Sequence, residues 1–206
     1  GEPTRAAFAS ATVTMPAAQA QTVTLTPTHD NVVRISTIDA SVANQVHSQS
    51  DLAIFAINPS AGVDQVTIQQ WADLDEYQIP RLLVVTHLEK LEADFDDAVM
   101  IASRVFDQMI TPYLVLHDEA GLPAALISLS DLRIIDYSTN PKTIKSSAEE
   151  HQTLVQEFRE EFLELLEAAG ENAFSAGLLF PAIPLWIERG IGVDVVESFI
   201  KQLKVI

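Results

Sequence analysis

The sequence predicts an α/β fold: a mostly parallel sheet flanked by helices, with an inserted α+β subdomain. Three observations lead there. Residues 51–57, 81–85 and 111–116 are short runs apolar on both faces, the pattern of strands covered on both sides of a parallel sheet. The segments between them carry apolar residues at helical spacing. The rhythm stops after residue 116 and resumes near residue 178, so residues 117–177 read as an insertion between two strands of the main sheet. With 206 residues the chain suits one domain, 1–206, which buries roughly 70% of its unfolded surface and folds without staples.

The elements follow in order. Residues 1–20 are rich in Ala, Ser and Thr and read as a loosely held edge segment or the remnant of something larger. Residues 22–26 alternate, Pro27-Thr28-His29-Asp30-Asn31 is turn chemistry, and residues 32–38 alternate again, which predicts a β-hairpin. The strand at 51–57 is broken by Asn58-Pro59-Ser60-Ala61-Gly62. Asp64 then caps a helix with Ile68, Trp71 and Ala72 on one face, ending before Pro80. After the strand at 81–85, Asp94 caps a helix whose Phe95, Ala98, Val99, Ala102, Val105 and Phe106 share a side. A third strand follows at 111–116, then short strands at 124–129 and 132–137 and a polar linker at 138–146. Ser147 and Glu150 have capping-box spacing for a long helix that turns Leu154, Val155, Phe158, Phe162, Leu165 and Leu166 inward and ends at Gly170. A strand at 178–185 and a helix from about Val193, burying Val196, Phe199, Ile200 and Leu203, close the chain.

Composition excludes several functions. There is no cysteine, hence no disulfide framework and no thiolate ligand or nucleophile. The longest apolar stretches are too short to span a bilayer, and the N-terminus lacks the basic start and apolar core of a secretion signal. The chain starts without an initiator Met and reads as a processed fragment; it is expected in the cytoplasm. Its 29 acidic residues against 12 basic ones give a net charge of −17, with the cations scattered, so direct nucleic-acid binding by this domain alone is disfavoured.

Several motifs carry a resemblance. A strand, Asn58-Pro59-Ser60-Ala61-Gly62-Val63, a helix bearing Trp71, then Tyr77-Gln78-Ile79-Pro80-Arg81, a strand, Thr86-His87-Leu88-Glu89 and Ala93-Asp94-Phe95 follow one another. This order resembles the GTP-binding domain of elongation factor G-like translational GTPases, in which a Trp-bearing helix, Y-G-I/V-P-R, a strand, N-K-L/M-D and A-D-F succeed each other. Elongation factor G and its close relatives also insert a subdomain before the last strand, and their final strand and helix resemble Phe180-Pro181-Ala182-Ile183-Pro184 and Gly190-Ile191-Gly192-Val193. The likeness covers about residues 21–203 and looks closest to divergent members. It implies a P-loop GTPase-like three-layer fold, a role in protein biosynthesis, and GTP with Mg²⁺ as the family's cofactors.

Set beside the family's chemistry, each element departs. A phosphate loop needs Gly-x-x-x-x-Gly-Lys-Ser/Thr, because glycines let backbone N–H groups wrap the phosphates while Lys neutralises them. None of the seven glycines precedes a Lys, so this loop either lies upstream of the fragment or is eroded within residues 4–15. The family's Asp-x-x-Gly leaves Asp39 here, with Val42 in place of Gly and Ala43 in place of the catalytic His. The guanine-reading Asn, Lys and Asp become Thr86, His87 and Glu89, and the Ser-Ala turn near the base falls on Trp186-Ile187-Glu188-Arg189. Asp39, Thr86, His87 and Glu89 are therefore read as vestigial cofactor-binding positions, with no catalytic residue.

No other chemistry competes. His29, His47, His87, His117 and His151 lack metal-ligand spacing, so no metal site is expected. Asp96-Asp97 and Glu149-Glu150 read as solvated helix starts. The expectation is a degenerate GTPase-like domain that neither binds nor hydrolyses GTP. Its partners would be the ribosome, other domains of the same protein, or another protein, with no membrane. Two alternatives stand beside it: an active GTPase domain truncated before its phosphate loop, and a free-standing α/β interaction module. One structural demand follows from the resemblance: the strand before a phosphate loop lies inside the sheet, so a segment within residues 5–15 has to fill that slot.

Overall fold

The computed structural model describes residues 8–14 and 32–38 as backbone, and residues 52–90 and 94–203. Six strands form a parallel sheet: β1 (Phe8–Thr14), β2 (Val32–Ile38), β3 (Leu52–Ile57), β4 (Arg81–Val85), the two-residue β5 (Met109–Ile110) and β10 (Phe180–Pro184). Their order is β2-β1-β3-β4-β10-β5, every neighbour parallel. β1 thus lies inside the sheet, hydrogen-bonded on both sides, and fills the slot that the 5–15 segment had to occupy. An edge position for it is ruled out. The proposed hairpin partner of β2, at 22–26, lies outside the described residues.

The sheet positions its helices by alternation. In β3, Ala53, Phe55 and Ile57 pack with Leu83 and Val85 against Trp71 and Leu74 of α1 (Gln65–Asp73) and its C-cap, and against Phe95, Ala98, Val99 and Ala102 of α2 (Phe95–Val105). Leu52, Ile54 and Ala56 face the other way, with Leu82, Val84 and Ile183, onto Val195, Val196 and Ile200 of α5 (Val193–Gln202). Period-two backbone geometry lets runs of six and five buried residues pack on both faces of the sheet. The caps are those the sequence specifies. Asp64 accepts from the Thr67 N–H at 2.7 Å, and Asp94 accepts from the Asp96 and Asp97 N–H groups at 2.8 and 3.1 Å.

Between β5 and β10 the chain builds an antiparallel sheet, β6 (Tyr113–His117), β7 (Pro123–Ser128), β8 (Arg133–Asp136) and β9 (Thr143–Ser146), in that order. α3 (Glu149–Leu154) and α4 (Gln156–Ala169) follow. Ala125, Ile127 and Ile134 pack with Val155 and Phe162, whereas Leu126 and Ile135 join the core under α5.

Several expectations are corrected here. Residues 111–116 do not form a third strand of the parallel sheet. Only Met109 and Ile110 pair with β10; the chain then turns at Thr111-Pro112 and the following strand pairs with β7. Within the segment 138–146, expected as a linker, residues 143–146 pair with β8 as an exposed edge strand. The Ser147–Glu150 box does not form. The Ser147 N–H still bonds the Leu132 carbonyl, so the N-cap falls one residue later, on Ala148, which has no capping side chain. The long helix bends at Val155 (φ −100°, ψ 5°); Val155 and Phe162 are buried as expected, but Leu154, Phe158 and Leu166, expected inward, are 76%, 47% and 37% exposed. Ala72 is exposed, and Thr67 and Gln70 take the buried face beside Trp71.

Candidate functional site

In an open parallel sheet, ligands bind outside the carboxyl ends of the strands, where the strand order reverses. Here the chain steps from β1 outward to β2 and then back across to β3, so the reversal lies between β1 and β3. The segments leaving the carboxyl ends nearby are those after Thr14, Ile57, Val85 and Pro184. Asp39, Val42 and Ala43, which follow β2 in sequence, lie outside the described residues.

After β1 the sequence runs Met15-Pro16-Ala17-Ala18-Gln19-Ala20-Gln21-Thr22, without a glycine or a lysine. After β3, Asn58 is buried and its Oδ1 accepts from the Ser60 N–H at 3.0 Å, closing an Asx turn that delivers Gly62 in the left-handed region.

After β4 and β10, two expected groups meet. Thr86, His87 and Glu89 line one small cavity with Leu185, Trp186, Ile187 and Glu188. The Thr86 N–H donates to the Ile57 carbonyl at 2.9 Å, and the Thr86 hydroxyl donates to the same oxygen at 3.1 Å. His87 Nδ1 stands 2.9 Å from that hydroxyl oxygen. With the Thr86 proton given to Ile57, the hydroxyl oxygen is left to accept from Nδ1. His87 has φ 59°, left-handed backbone that a non-glycine residue adopts at a cost. Glu89 is exposed in the turn that follows.

The opposing wall is a narrow loop. Trp186 and Ile191 exchange both backbone hydrogen bonds at 3.0 Å around a single helical turn, Ile187–Arg189. The Arg189 guanidinium lies 4.5 Å over the Trp186 ring and donates to the Pro123 carbonyl at 3.4 Å. Gly192 is required at its position, because a Cβ there would sit 2.0 Å from the Pro184 carbonyl oxygen. The cavity between the two walls is about 30 Å³, room for water.

Behind the site, Trp71 and Arg81, two residues that carry the motif resemblance, prove to be one cluster. Arg81 is 1% exposed, with its guanidinium 4.8 Å from the Trp71 ring centre and 4.4 Å from that of Phe180. It is paired to Asp75 and Asp107, and Asp107 also accepts from Trp71 Nε1 at 2.7 Å. On the far side, Tyr137, Lys142 and Asp194 form a group that sequence reasoning misses. Tyr137 and Asp194 are 57 positions apart, and no local pattern joins them. Among the described residues no group of His, Asp and Glu is placed to hold a metal ion, and no helix is long and apolar enough to cross a membrane.

The geometry defines an α/β domain with a parallel sheet and an antiparallel sheet. Comparison with known proteins gives the lineage. No family model matches the chain. Elongation factor G-like proteins from two strains of Mycobacterium tuberculosis are 25% identical over 168 residues, covering 69% of this chain and 23% of theirs. A mitochondrial ribosome-releasing factor 2 from Anopheles gambiae is 30% identical over 131 residues, covering 61% of this chain and 18% of its own length. A crystal structure of a Thermus thermophilus protein superposes with a TM-score of 0.73 at 21% identity, over 87% of this chain and 31% of that one. The chain is related to elongation factor G-like translational GTPases, as the motif order implied. It spans less than a quarter of the length of these curated relatives.

Proposed function

We propose that the chain is a P-loop GTPase-like three-layer domain, with its inserted subdomain, that has lost guanine-nucleotide binding and hydrolysis and works in translation through contacts. The observation that carries the reading is the 30 Å³ corner lined by Thr86, His87 and Glu89 on one wall and Trp186, Ile187 and Glu188 on the other, where the family would seat a base. Three further features support it. The Thr86 hydroxyl is committed to the Ile57 carbonyl, so it has no hydrogen to offer a ligand. Trp186 and Ile187 add bulk where the family has a Ser-Ala turn. The segment after β1 supplies neither the glycines nor the lysine that would hold phosphates, so GTP with Mg²⁺ does not fit these residues.

The position of β1 also weighs against a phosphate loop upstream. The internal slot is filled on both sides by hydrogen-bonded neighbours. The contacts proposed are with other domains of the same protein, with the ribosome, or with a protein partner. A net charge of −17 directs any ribosomal contact toward basic proteins rather than the RNA backbone. The setting proposed is the cytoplasm.

Isothermal titration of the chain with GTP and with GDP tests the reading. No heat of binding is expected with nucleotide at up to about a hundredfold above the micromolar range that defines a working site. A micromolar Kd for either nucleotide overturns the proposal. Co-sedimentation of the full-length protein with ribosomes separates a translational role from that of a free-standing interaction module.

A further inference from the structure

The loop that fills the base corner is fastened from outside the parallel sheet. Asp194, in the first turn of α5, stands two residues after Gly192 and accepts twice from the inserted subdomain. Its Oδ1 takes the Tyr137 hydroxyl at 2.6 Å, and its Oδ2 takes the Lys142 ammonium at 2.6 Å. Lys142 also lies 5.5 Å from the centre of the Tyr137 ring. A third tie runs from Arg189 to the Pro123 carbonyl, at the start of β7. All three contacts join segment 186–194 to the inserted subdomain.

These ties are of a kind that holds weight. The Asp194 carboxylate is 30% exposed and the Lys142 side chain 38%, so both are partly withdrawn from solvent. Burial and the Asp194 carboxylate hold the Tyr137 hydroxyl well above its ordinary range, so it stays a donor at any physiological pH. A charged acceptor makes each such hydrogen bond stronger than a neutral one.

We infer that the inserted subdomain acts as a clamp on segment 186–194, so that the position of the antiparallel sheet and the shape of the corner at Thr86, His87 and Glu89 are coupled. A partner that shifts the antiparallel sheet would loosen the corner, and a change at the corner would be felt in the sheet. The inference stands on the contacts alone and does not depend on whether the corner takes a nucleotide.

Hydrogen exchange tests the coupling. The double variant Tyr137→Phe/Lys142→Gln removes both subdomain donors to Asp194 without touching the corner. The amides of Arg189, Gly190 and Ile191, all hydrogen-bonded within the loop, should then exchange roughly 5- to 10-fold faster. The amides of β3 and β4 should keep their rates. In the opposite direction, Arg189→Gln should accelerate the Ala125 and Tyr137 amides of the antiparallel sheet by a smaller factor. Unchanged loop exchange in the double variant overturns the clamp, and so does an equal rise throughout the parallel sheet, which would mark only a general loss of stability. If the double variant does not fold, Lys142→Gln alone, on a partly exposed side chain, gives the same reading with a smaller expected rise. A Kd for GTP in the micromolar range would sink the proposed function while leaving this exchange result intact.

Discussion

At the scale of single residues, the buried Arg81 decides more than any residue of the corner. Its side chain is 2% exposed, while those of its partners Asp75 and Asp107 are 55% and 42% exposed. The two ends of the network therefore respond differently to mutation. Removing both acids strands a cation between the Trp71 and Phe180 rings and leaves Trp71 Nε1 without its acceptor. Removing the arginine leaves two carboxylates that water already reaches. Asp75→Ala/Asp107→Ala should cost about 3 kcal/mol, whereas Arg81→Met, with a flexible apolar side chain against the same rings, should cost about 1 kcal/mol. Urea unfolding checks the order, and an Arg81→Met protein less stable than the double variant would contradict it. A second residue contributes to the acid limb. The Ser138 hydroxyl, then the Lys145 ammonium and the Ser138 N–H, hold the Asp136 carboxyl at about 2, below its ordinary 3.8. A depressed folded value means the stabilisation is complete above the unfolded value and is lost as pH falls from 3.8 towards 2. Asp136→Asn should thus be less stable than the parent at pH 6, with the gap closing by pH 2 in urea midpoints measured across that range.

At the scale of elements, two helix starts that carry equally plain capping signals in the sequence behave in opposite ways. Asp94 satisfies two orphan N–H groups of α2, so Asp94→Ala should cost about 1 kcal/mol. Ser147 has capping-box spacing but caps nothing: its Oγ is buried and finds no partner among the described residues. Ser147→Ala should therefore be neutral or slightly stabilising, since it removes a desolvated hydroxyl. Thermal melts of the two variants side by side test this, and a Ser147→Ala loss as large as that of Asp94→Ala would restore the capping box. The contrast also marks how far the sequence could be read. The Asp caps, β4 and the start of α5 follow from local chemistry, since side chain, first-turn N–H and apolar period all lie within a few residues. The split at Thr111-Pro112 does not. An apolar run tells that a strand forms, but not which sheet it joins, and that choice is made by β7 and β10, far along the chain. The fate of Ser147 is set likewise by the Leu132 carbonyl across the antiparallel sheet. The corner was half legible: the motif order located Thr86, His87, Glu89 and Trp186, but the Thr86–Ile57 bonds and the Arg189–Pro123 tie are tertiary and left no local signal.

At the scale of the whole molecule, the question is whether the antiparallel sheet is a separate folding unit. Its strands answer by alternation. Ala125, Ile127 and Ile134 turn to Val155 and Phe162, forming a core of their own. Leu126 and Ile135 turn the other way, into the cluster that holds Leu52, Ile54, Leu82 and Val84 of the parallel sheet with Val195 and Ile200 of α5. One sheet thus contributes to two cores, and the second cannot be completed without it. Leu126 is 0% exposed, so Leu126→Ala opens a cavity at the seam between the sheets. The expected loss is about 3 kcal/mol, inside the roughly 2–5 kcal/mol spread of buried leucine truncations. It should fall on the whole molecule at once: tryptophan fluorescence, which reports Trp71 of α1 and Trp186 at the corner, and far-ultraviolet circular dichroism should shift to the same lower denaturant midpoint. Were the antiparallel sheet an independent unit, Leu126→Ala would lower one transition and leave the fluorescence of Trp71, on the opposite face of the parallel sheet, at its original midpoint. Coincident midpoints are the result that shared packing demands, because the face of β3 that carries Ile54 and the face that carries Phe55 belong to one backbone and cannot unfold separately.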